Sequence, residues 1–444
     1  MYSQPGLLLV PIFIAAFTFA AGLQMEKATS KKKAHQIYLL SIVANVGILI
    51  FFKYTNFFTN SATSLVNFFN QKIFHTSTVV NNSLLIQVIA PLGISYITFQ
   101  TIGYLVEIKR GNSAAEKNFG HFATFLLFFP KLVSGPVERS HHLLPQLKQP
   151  TPFSYENISI GSKQIIWGLF KKLVIADRLA IFVNLVFENT THHSGITLLV
   201  ACIFYTFQMY ADFSGYTDMA LGFAKILGID LLPNFNRPFF AKSVTEFWRK
   251  WHISLSTWFA DYFYNPIAIA KRDWGNWAIV YAFMVTFVTL GFWHGANWTF
   301  IVFGLLQAIM LPIEFFTKKA RKQCRKKIPA FLNNTAGILF TFFFFMLSLI
   351  FFRAGSLAEA SQIIKGFFSQ KGGLFVQDAS VLLFSVIGIF LLLLLEFKKE
   401  FYSDLFTVST SKFWLVRNGY YCFLLLAILL AGVFDGGQFI YKQF

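Results

Sequence analysis

The chain has 444 residues, 55% of them hydrophobic and only 13% charged, with a mean hydropathy of +0.55 and a formal net charge of +18. A soluble domain carries about a quarter of its residues as charges, so these values exclude an ordinary water-soluble globule and point to an all-α polytopic membrane protein. The basic residues fall in short loops between apolar runs, and the aromatics lie in the runs themselves. That pattern excludes a nucleic-acid partner and indicates contact with membrane lipid, the loop charges lying on the cytoplasmic side.

In chain order, Leu7–Leu23 reads as the first span. It lacks a basic leading region and a clear cleavage site, which favours a retained helix over a signal peptide. A lysine-rich loop follows it. Ile37–Phe58 is the next span, then a polar stretch, "TNSATSLVNFFNQKIFHTSTVVNN", with a single lysine. Leu84–Val106 follows and closes on "EIKRGNSAAEK". Alternation of basic and uncharged loops places Lys31–Lys33 and Lys109–Arg110 inside and the start of the chain outside. Phe119–Val133 is apolar but short and ends in "PKLVSGPVERSHHLLPQL", whose Pro130, Gly135 and Pro136 break helices. A re-entrant segment fits it, with Lys131, Glu138 and Arg139 expected near a tunnel mouth.

Ile158–Phe187 has helical apolar spacing interrupted by Lys171, Lys172, Asp177 and Arg178, and is expected partly in the interface. Leu198–Leu227 is long enough to span. Trp277–Phe316 is a forty-residue apolar run. As one helix it would reach ~60 Å against a hydrocarbon core of ~30 Å, so a break is expected at the glycines around His294. The segment Lys318–Lys327 packs seven basic residues into ten positions. It is the strongest cytoplasmic marker in the chain. Leu332–Phe352, Val381–Leu395 and Tyr421–Val433 complete roughly nine to eleven crossings. "EFKKE" is expected inside, and the C-terminal "GGQFIYKQF" outside. No tandem repeat or separate soluble domain is visible, so residues 1–444 read as one domain. Cys202, Cys324 and Cys422 are too widely spaced for a disulfide framework or a metal site, and no metal or bound cofactor is expected.

Ionisable groups at membrane depth are costly and are functional candidates by default. His294 sits between Gly291 and Gly295, and a neutral imidazole with an ordinary pKa of about 6.5 suits general base catalysis. In Ser243–Phe263, Trp248, Trp251, His252, Leu255 and Phe259 would share one face of a continuous amphipathic helix. In Tyr205–Lys225, Gln208 and Asp212 share a face while Asp218 lies about two-thirds of a turn away. The two aspartates are expected to pair with bases such as Arg237 or Arg249, or to hold a histidine. "PNFNRPF" (233–239) reads as a rigid turn. His141–His142 and His192–His193 sit in polar loops. Walker A, GxGxxG, HExxH and GxSxG patterns are absent from the sequence, which removes their usual support for an ATPase, a Rossmann enzyme, a zincin or an α/β-hydrolase.

Five blocks, "PLGISYITFQTIGYLVEIKRG", "FFPKLVSGPVERS", "YADFSGYTDMALGFAKILGIDLLPNFNRPF", "TEFWRKWHISLSTWFADYFYNPI" and "LGFWHGANWTFIVFG", resemble the successive signature blocks of membrane-bound O-acyltransferases. The bacterial branch that includes alginate O-acetyltransferase is the most similar. The signature core runs from residue 91 to 304, and "FIYKQF" resembles that branch's C-terminus. The family pattern usually carries an apolar segment of the "FLFLP" kind ahead of the first span read here.

The resemblance implies a helical body with re-entrant and interfacial helices around a central tunnel. It implies His294 as catalytic base and His252 as the second polar group of the site. Trp248, Arg249, Trp251, Trp293, Asn297, Asp212 and Asp218 are expected on the substrate path. It also implies a cytoplasmic acyl thioester donor, with acetyl-CoA foremost, and a multi-pass place in the inner (cytoplasmic) membrane. The expected acceptor is an alginate-like cell-surface polysaccharide, reached directly or through an extracytoplasmic partner enzyme that carries the acetyl group. D-alanyl transfer to teichoic acid from an acyl carrier protein is the nearest alternative. A transporter is the alternative from another class, although no second copy of the glycine-broken segment is visible.

Overall fold

The computed structural model describes residues 5–73, 75, 88–91, 93–402, 411, 413–435, 437 and 439, and every regular element among them is helical. They form two compact units: Met1–Val133 with Glu138–Gln149, and Ser134–Val137 with Pro150–Phe444.

The first unit contains α1 (Leu9–Glu26), α2 (Lys31–Lys72), α3 (Ile94–Arg110), α4 (Phe119–Leu127) and α5 (Ser140–Leu147). α2 runs well past the expected end at Phe58. In its polar half Thr55, Thr59 and Thr63 each donate to the carbonyl four residues earlier, so their hydroxyls are satisfied by the helix itself. Its 42 residues give ~63 Å of helix, about twice a membrane core. The first three helices are joined by Asn45 of α2, which is fully buried. Its side-chain oxygen accepts from Thr18 of α1 at 3.4 Å and Thr101 of α3 at 3.1 Å.

Residues 84–87 of the expected span Leu84–Val106, and residue 92 within it, lie outside the described residues. So does most of the C-terminal segment expected on the outside. α4 stops after nine residues, and Phe129–Lys131 forms a single tight turn. A segment this short reaches only ~14 Å, in keeping with the re-entrant expectation. Lys131 is fully buried instead of lining a mouth: its ammonium donates to Gln100 Oε1 at 2.5 Å and to the Phe125 carbonyl at 2.6 Å. Glu138 and Arg139 are buried as well. His141 and His142 lie in the first turn of α5, not in a loop.

The second unit begins with α6 (Tyr155–Leu169), a π-helical stretch (Phe170–Ala176), α7 (Asp177–Glu188) and α8 (Gly195–Ile226). Next come three short helices, α9 (Val244–Lys250), α10 (Ile253–Phe259) and α11 (Asn265–Ala270), then α12 (Asn276–His294) and α13 (Trp298–Phe316). The basic α14 (Lys318–Arg325), α15 (Ala330–Arg353), α16 (Leu357–Ser369), α17 (Ala379–Phe401) and α18 (Trp414–Ala431) follow. Among the described residues eight helices are long and apolar enough to cross a membrane: α1, α2, α8, α12, α13, α15, α17 and α18. α3, with 17 residues, is slightly shorter. The long apolar run does break beside His294, into two helices of 19 residues each.

Helices α6 and α8 pack backbone to backbone through two glycine pairs. A Cβ on Gly161 would lie 2.4 Å from the Gly222 carbonyl oxygen, and one on Gly168 would lie 2.6 Å from that of Gly215. Such small-residue contacts let membrane helices gain dispersion energy without a hydrophobic driving force. Replacing Gly168 by Leu would force the helices apart, at a cost of about 1–3 kcal/mol or more. The expected outcome is a lower temperature at which the detergent-solubilised protein loses its monodisperse chromatographic peak. Gly47→Ala, with open space around it, should leave that temperature unchanged.

Candidate active site

His294 is the last residue of α12, buried at 5% exposure. Helix α13 returns against α12 at the closest possible distance, since Cβ atoms on Gly291 and Gly304 would each lie 2.3 Å from a carbonyl oxygen of the other helix. The turn between them is fixed by Asn297. Its Oδ1 accepts from the Thr299 amide at 3.3 Å and caps α13, while its Nδ2 donates to the Gly355 carbonyl at 2.8 Å. The structure thus places Asn297 in the scaffold of the turn. The His294 ring is surrounded by Trp293 at 4.8 Å, Phe352 at 5.0 Å and Phe303 at 5.9 Å between centroids. An aromatic box of this kind keeps water from the ring.

Phe287, Leu290, Gly291 and His294 follow one stripe of α12 by helical spacing. Phe287 and Leu290 line a mostly apolar cavity of about 340 Å3, together with Trp248, Arg249, Thr286 and Tyr264. The Trp248 indole N–H donates to Gln307 Oε1 at 3.2 Å, and Gln307 Nε2 donates to Ser348 at 2.9 Å. Gln307 is fully buried and was not singled out in the sequence; its only signal there is an amide inside an apolar span.

His252 sits differently from the sequence expectation. Ser243–Phe263 is not one helix: α9 ends at Lys250, Trp251 is extended, and His252 adopts the left-handed region at φ 44°, ψ 53°. The break is imposed from outside the segment. The Asn236 amide donates to the Lys250 carbonyl and the Ile253 amide to the Asn234 carbonyl, both at 2.9 Å, so the "PNFNRPF" loop takes the bonds a continuous helix would have made. Trp251 is therefore turned into an aromatic cluster with Phe247, Phe345, Phe235 and Tyr210. His252 is 1% exposed, with its Nδ1 3.3 Å from Asn234 Oδ1 and its ring 4.6 Å from Phe213. Burial holds its pKa far below the ordinary imidazole range, at about 3, so it is uncharged at neutral pH.

The two aspartates pair with lysines of the π-helical stretch. The wide π turn directs two consecutive lysines at α8. Lys171 meets Asp218 at 2.5 Å and Ser214 at 2.9 Å. Lys172 meets Asp212 and Asp177 at 2.8 Å each. Asp212 is thus held in a buried ion cluster. Asp218 instead faces a polar cavity of about 380 Å3, lined also by Lys171, Tyr210, Asn234, Arg237, Glu396 and Lys399. Asn234 stands between this cavity and His252, lining the one and hydrogen-bonded to the other. Arg237 itself pairs with Glu400 at 2.7 Å.

Comparison with known proteins bears on the same residues. The model of the membrane-bound O-acyltransferase (MBOAT) family matches residues 30–356. The chain belongs to this family. It is 33% identical over 357 residues to a probable alginate O-acetylase of Pseudomonas aeruginosa, covering 80% of this chain and 65% of that protein, just under two thirds of its length. It is 33% identical over 395 residues to a peptidoglycan O-acetyltransferase of Helicobacter pylori, covering 82% and 71%. A teichoic acid D-alanyltransferase of Bacillus subtilis is 29% identical over 260 residues, covering 57% and 66%. The MBOAT match takes in both histidine-bearing blocks, the π-helical lysines and their aspartates.

Removing one partner of a buried ion pair leaves a charge uncompensated, at about 3–5 kcal/mol. Lys172→Met, which strands Asp212 and Asp177, should therefore lower the thermal midpoint of the purified protein sharply. The triple change Lys172→Met, Asp177→Asn, Asp212→Asn should recover most of the loss in the same melting assay.

Proposed function

We propose that the protein is a membrane O-acyltransferase that takes an acetyl group from a cytoplasmic thioester and passes it to a hydroxyl on the other side of the membrane. The observation that carries the reading is His294: a buried imidazole at a glycine-lined break between two membrane helices, one turn along α12 from Leu290, which with Phe287 lines a 340 Å3 cavity. In the proposed step a ring nitrogen of His294 takes the acceptor O–H proton as the oxygen forms its bond to the thioester carbonyl carbon. The carbon–sulfur bond then breaks, and the leaving thiolate takes the proton from the imidazolium. Water exclusion by Trp293, Phe303 and Phe352 protects the thioester from hydrolysis.

Acetyl-CoA is the proposed donor. Similarity to proteins named as O-acetylase and O-acetyltransferase supports it. The proposed acceptor is an alginate-like cell-surface polysaccharide, or a partner enzyme outside the cytoplasm that carries the acetyl group onward. Similarity to the alginate and peptidoglycan enzymes supports acetyl over D-alanyl as the group transferred. The proposed location is the inner membrane, where a cytoplasmic donor and an outward acceptor are both in reach.

The test is release of free CoA from radiolabelled acetyl-CoA by protein in nanodiscs, with a soluble hydroxyl acceptor. Loss of a general base costs about 10²–10⁴-fold in rate, and His294→Ala and His294→Gln should fall in that range while eluting as the wild type does. Equal turnover by wild type and both variants would overturn the role given to His294. Turnover with D-alanyl carrier protein but not acetyl-CoA would overturn the acetyl assignment.

A further inference from the structure

The 380 Å3 cavity and His252 meet at one residue that the proposed chemistry does not use. Asn234 is fully buried, and its carboxamide and backbone make four hydrogen bonds. The direction of each can be worked out from the far end. The Val137 backbone N–H donates to Ser254 Oγ at 2.8 Å. A backbone amide can only donate, so Ser254 Oγ is the acceptor there and its own O–H points elsewhere. It points to Asn234 Oδ1 at 2.5 Å. With Oδ1 toward Ser254, Nδ2 is left facing Thr217 Oγ1 at 3.4 Å, a hydroxyl oxygen that can accept from it. His252 Nδ1 approaches the same Oδ1 at 3.3 Å. An amide oxygen cannot donate, so the proton of this contact belongs to Nδ1.

We infer that Asn234 is a positioning residue that holds His252 as the Nδ1–H tautomer, leaving Nε2 as its lone-pair nitrogen. The chain Val137 N–H, Ser254 O–H, Asn234 Oδ1, His252 Nδ1–H runs one way through three sequence blocks. It fixes which face of the ring can accept a proton or a hydrogen bond. The left-handed backbone of His252 makes such support necessary. A non-glycine residue there is strained and persists only where its surroundings over-determine it. The Asn234 carbonyl supplies that as well, by accepting the Ile253 amide. The inference rests on the reading of His252 as a site residue for its functional weight, but not for its structural content.

The experiment is solid-state 15N NMR of histidine-labelled protein in lipid, with the His252 signals assigned by their loss in His252→Gln. The wild type should show a protonated-type shift at Nδ1 and a bare-type shift at Nε2. The reverse assignment in the wild type overturns the inference, whatever any variant does. Asn234→Asp keeps an acceptor oxygen toward Nδ1 and Ser254 and should keep the tautomer. Asn234→Leu removes the acceptor and should yield Nε2–H or a mixture, and an unchanged spectrum in that variant also overturns the inference.

In turnover assays, loss of a supporting partner of this kind costs about 10–100-fold. Asn234→Leu should show that loss in kcat with KM within about 2-fold, and Asn234→Asp should be closer to wild type. Equal losses in the two variants would mark Asn234 as merely structural. The tautomer measurement needs no turnover, so a failure of the acyl-transfer reading and a failure of this one are seen separately.

Discussion

The contact between α6 and α8 is the constraint on which the candidate site depends. Glycines at 161 and 168 meet glycines at 222 and 215, and no side chain intervenes. Only at that separation can Lys171 and Lys172 reach Asp218 and Asp212. Only a settled α8 then offers Thr217 to Asn234 and Phe213 to His252. The order of dependence runs from four hydrogen atoms, where side chains would otherwise stand, to the orientation of an imidazole.

A second theme is how a chain so poor in charges treats the polar groups it buries. Many are given a specific partner, because in a low-dielectric interior an unmet donor or acceptor costs several kcal/mol. Threonines in α2 bond their own helix. Asn45 joins three helices, Gln307 links α9 to α15 through Trp248 and Ser348, and Lys172 is shared by two carboxylates. Few of these groups touch a cavity. Asp212 lies deep in α8, and Lys172 meets it there at 2.8 Å.

The break beside His294 was legible in the sequence because two independent quantities forced it. A forty-residue apolar run exceeds one crossing, and the glycines flanking His294 mark a weak place in it. The break at His252 was not legible. The apolar spacing of Ser243–Phe263 suits a continuous helix, and the bonds that interrupt it come from Asn234 and Asn236, a tertiary competitor that local periodicity cannot report. The same loop was read as a turn because its prolines dominate the pattern, and Asn234 passed as one more polar turn residue. The partners of Asp212 and Asp218 were missed for a geometrical reason. Lys171 and Lys172 are neighbours in the chain, and on a regular α-helix they would diverge; the π-helical widening lets both face α8.

The glycine contacts have a mechanical consequence. The pairs are spaced seven residues apart on each helix, and Ile165, Met219 and Ile226 crowd the spaces beside them. Sliding α6 along α8 by one turn would drive a side chain into a carbonyl, so the pair has a single register and cannot act as a piston. The polar cavity therefore has one stationary jaw, made by α6, the π stretch and α8. Its opposite jaw, α17, which carries Glu396 and Lys399, is 17% buried across its apolar window against 78% for α8. Any widening of the cavity on that side would strain the contacts that tie α17 to this unit, Glu396 with Tyr210 and Glu400 with Arg237 and Lys250.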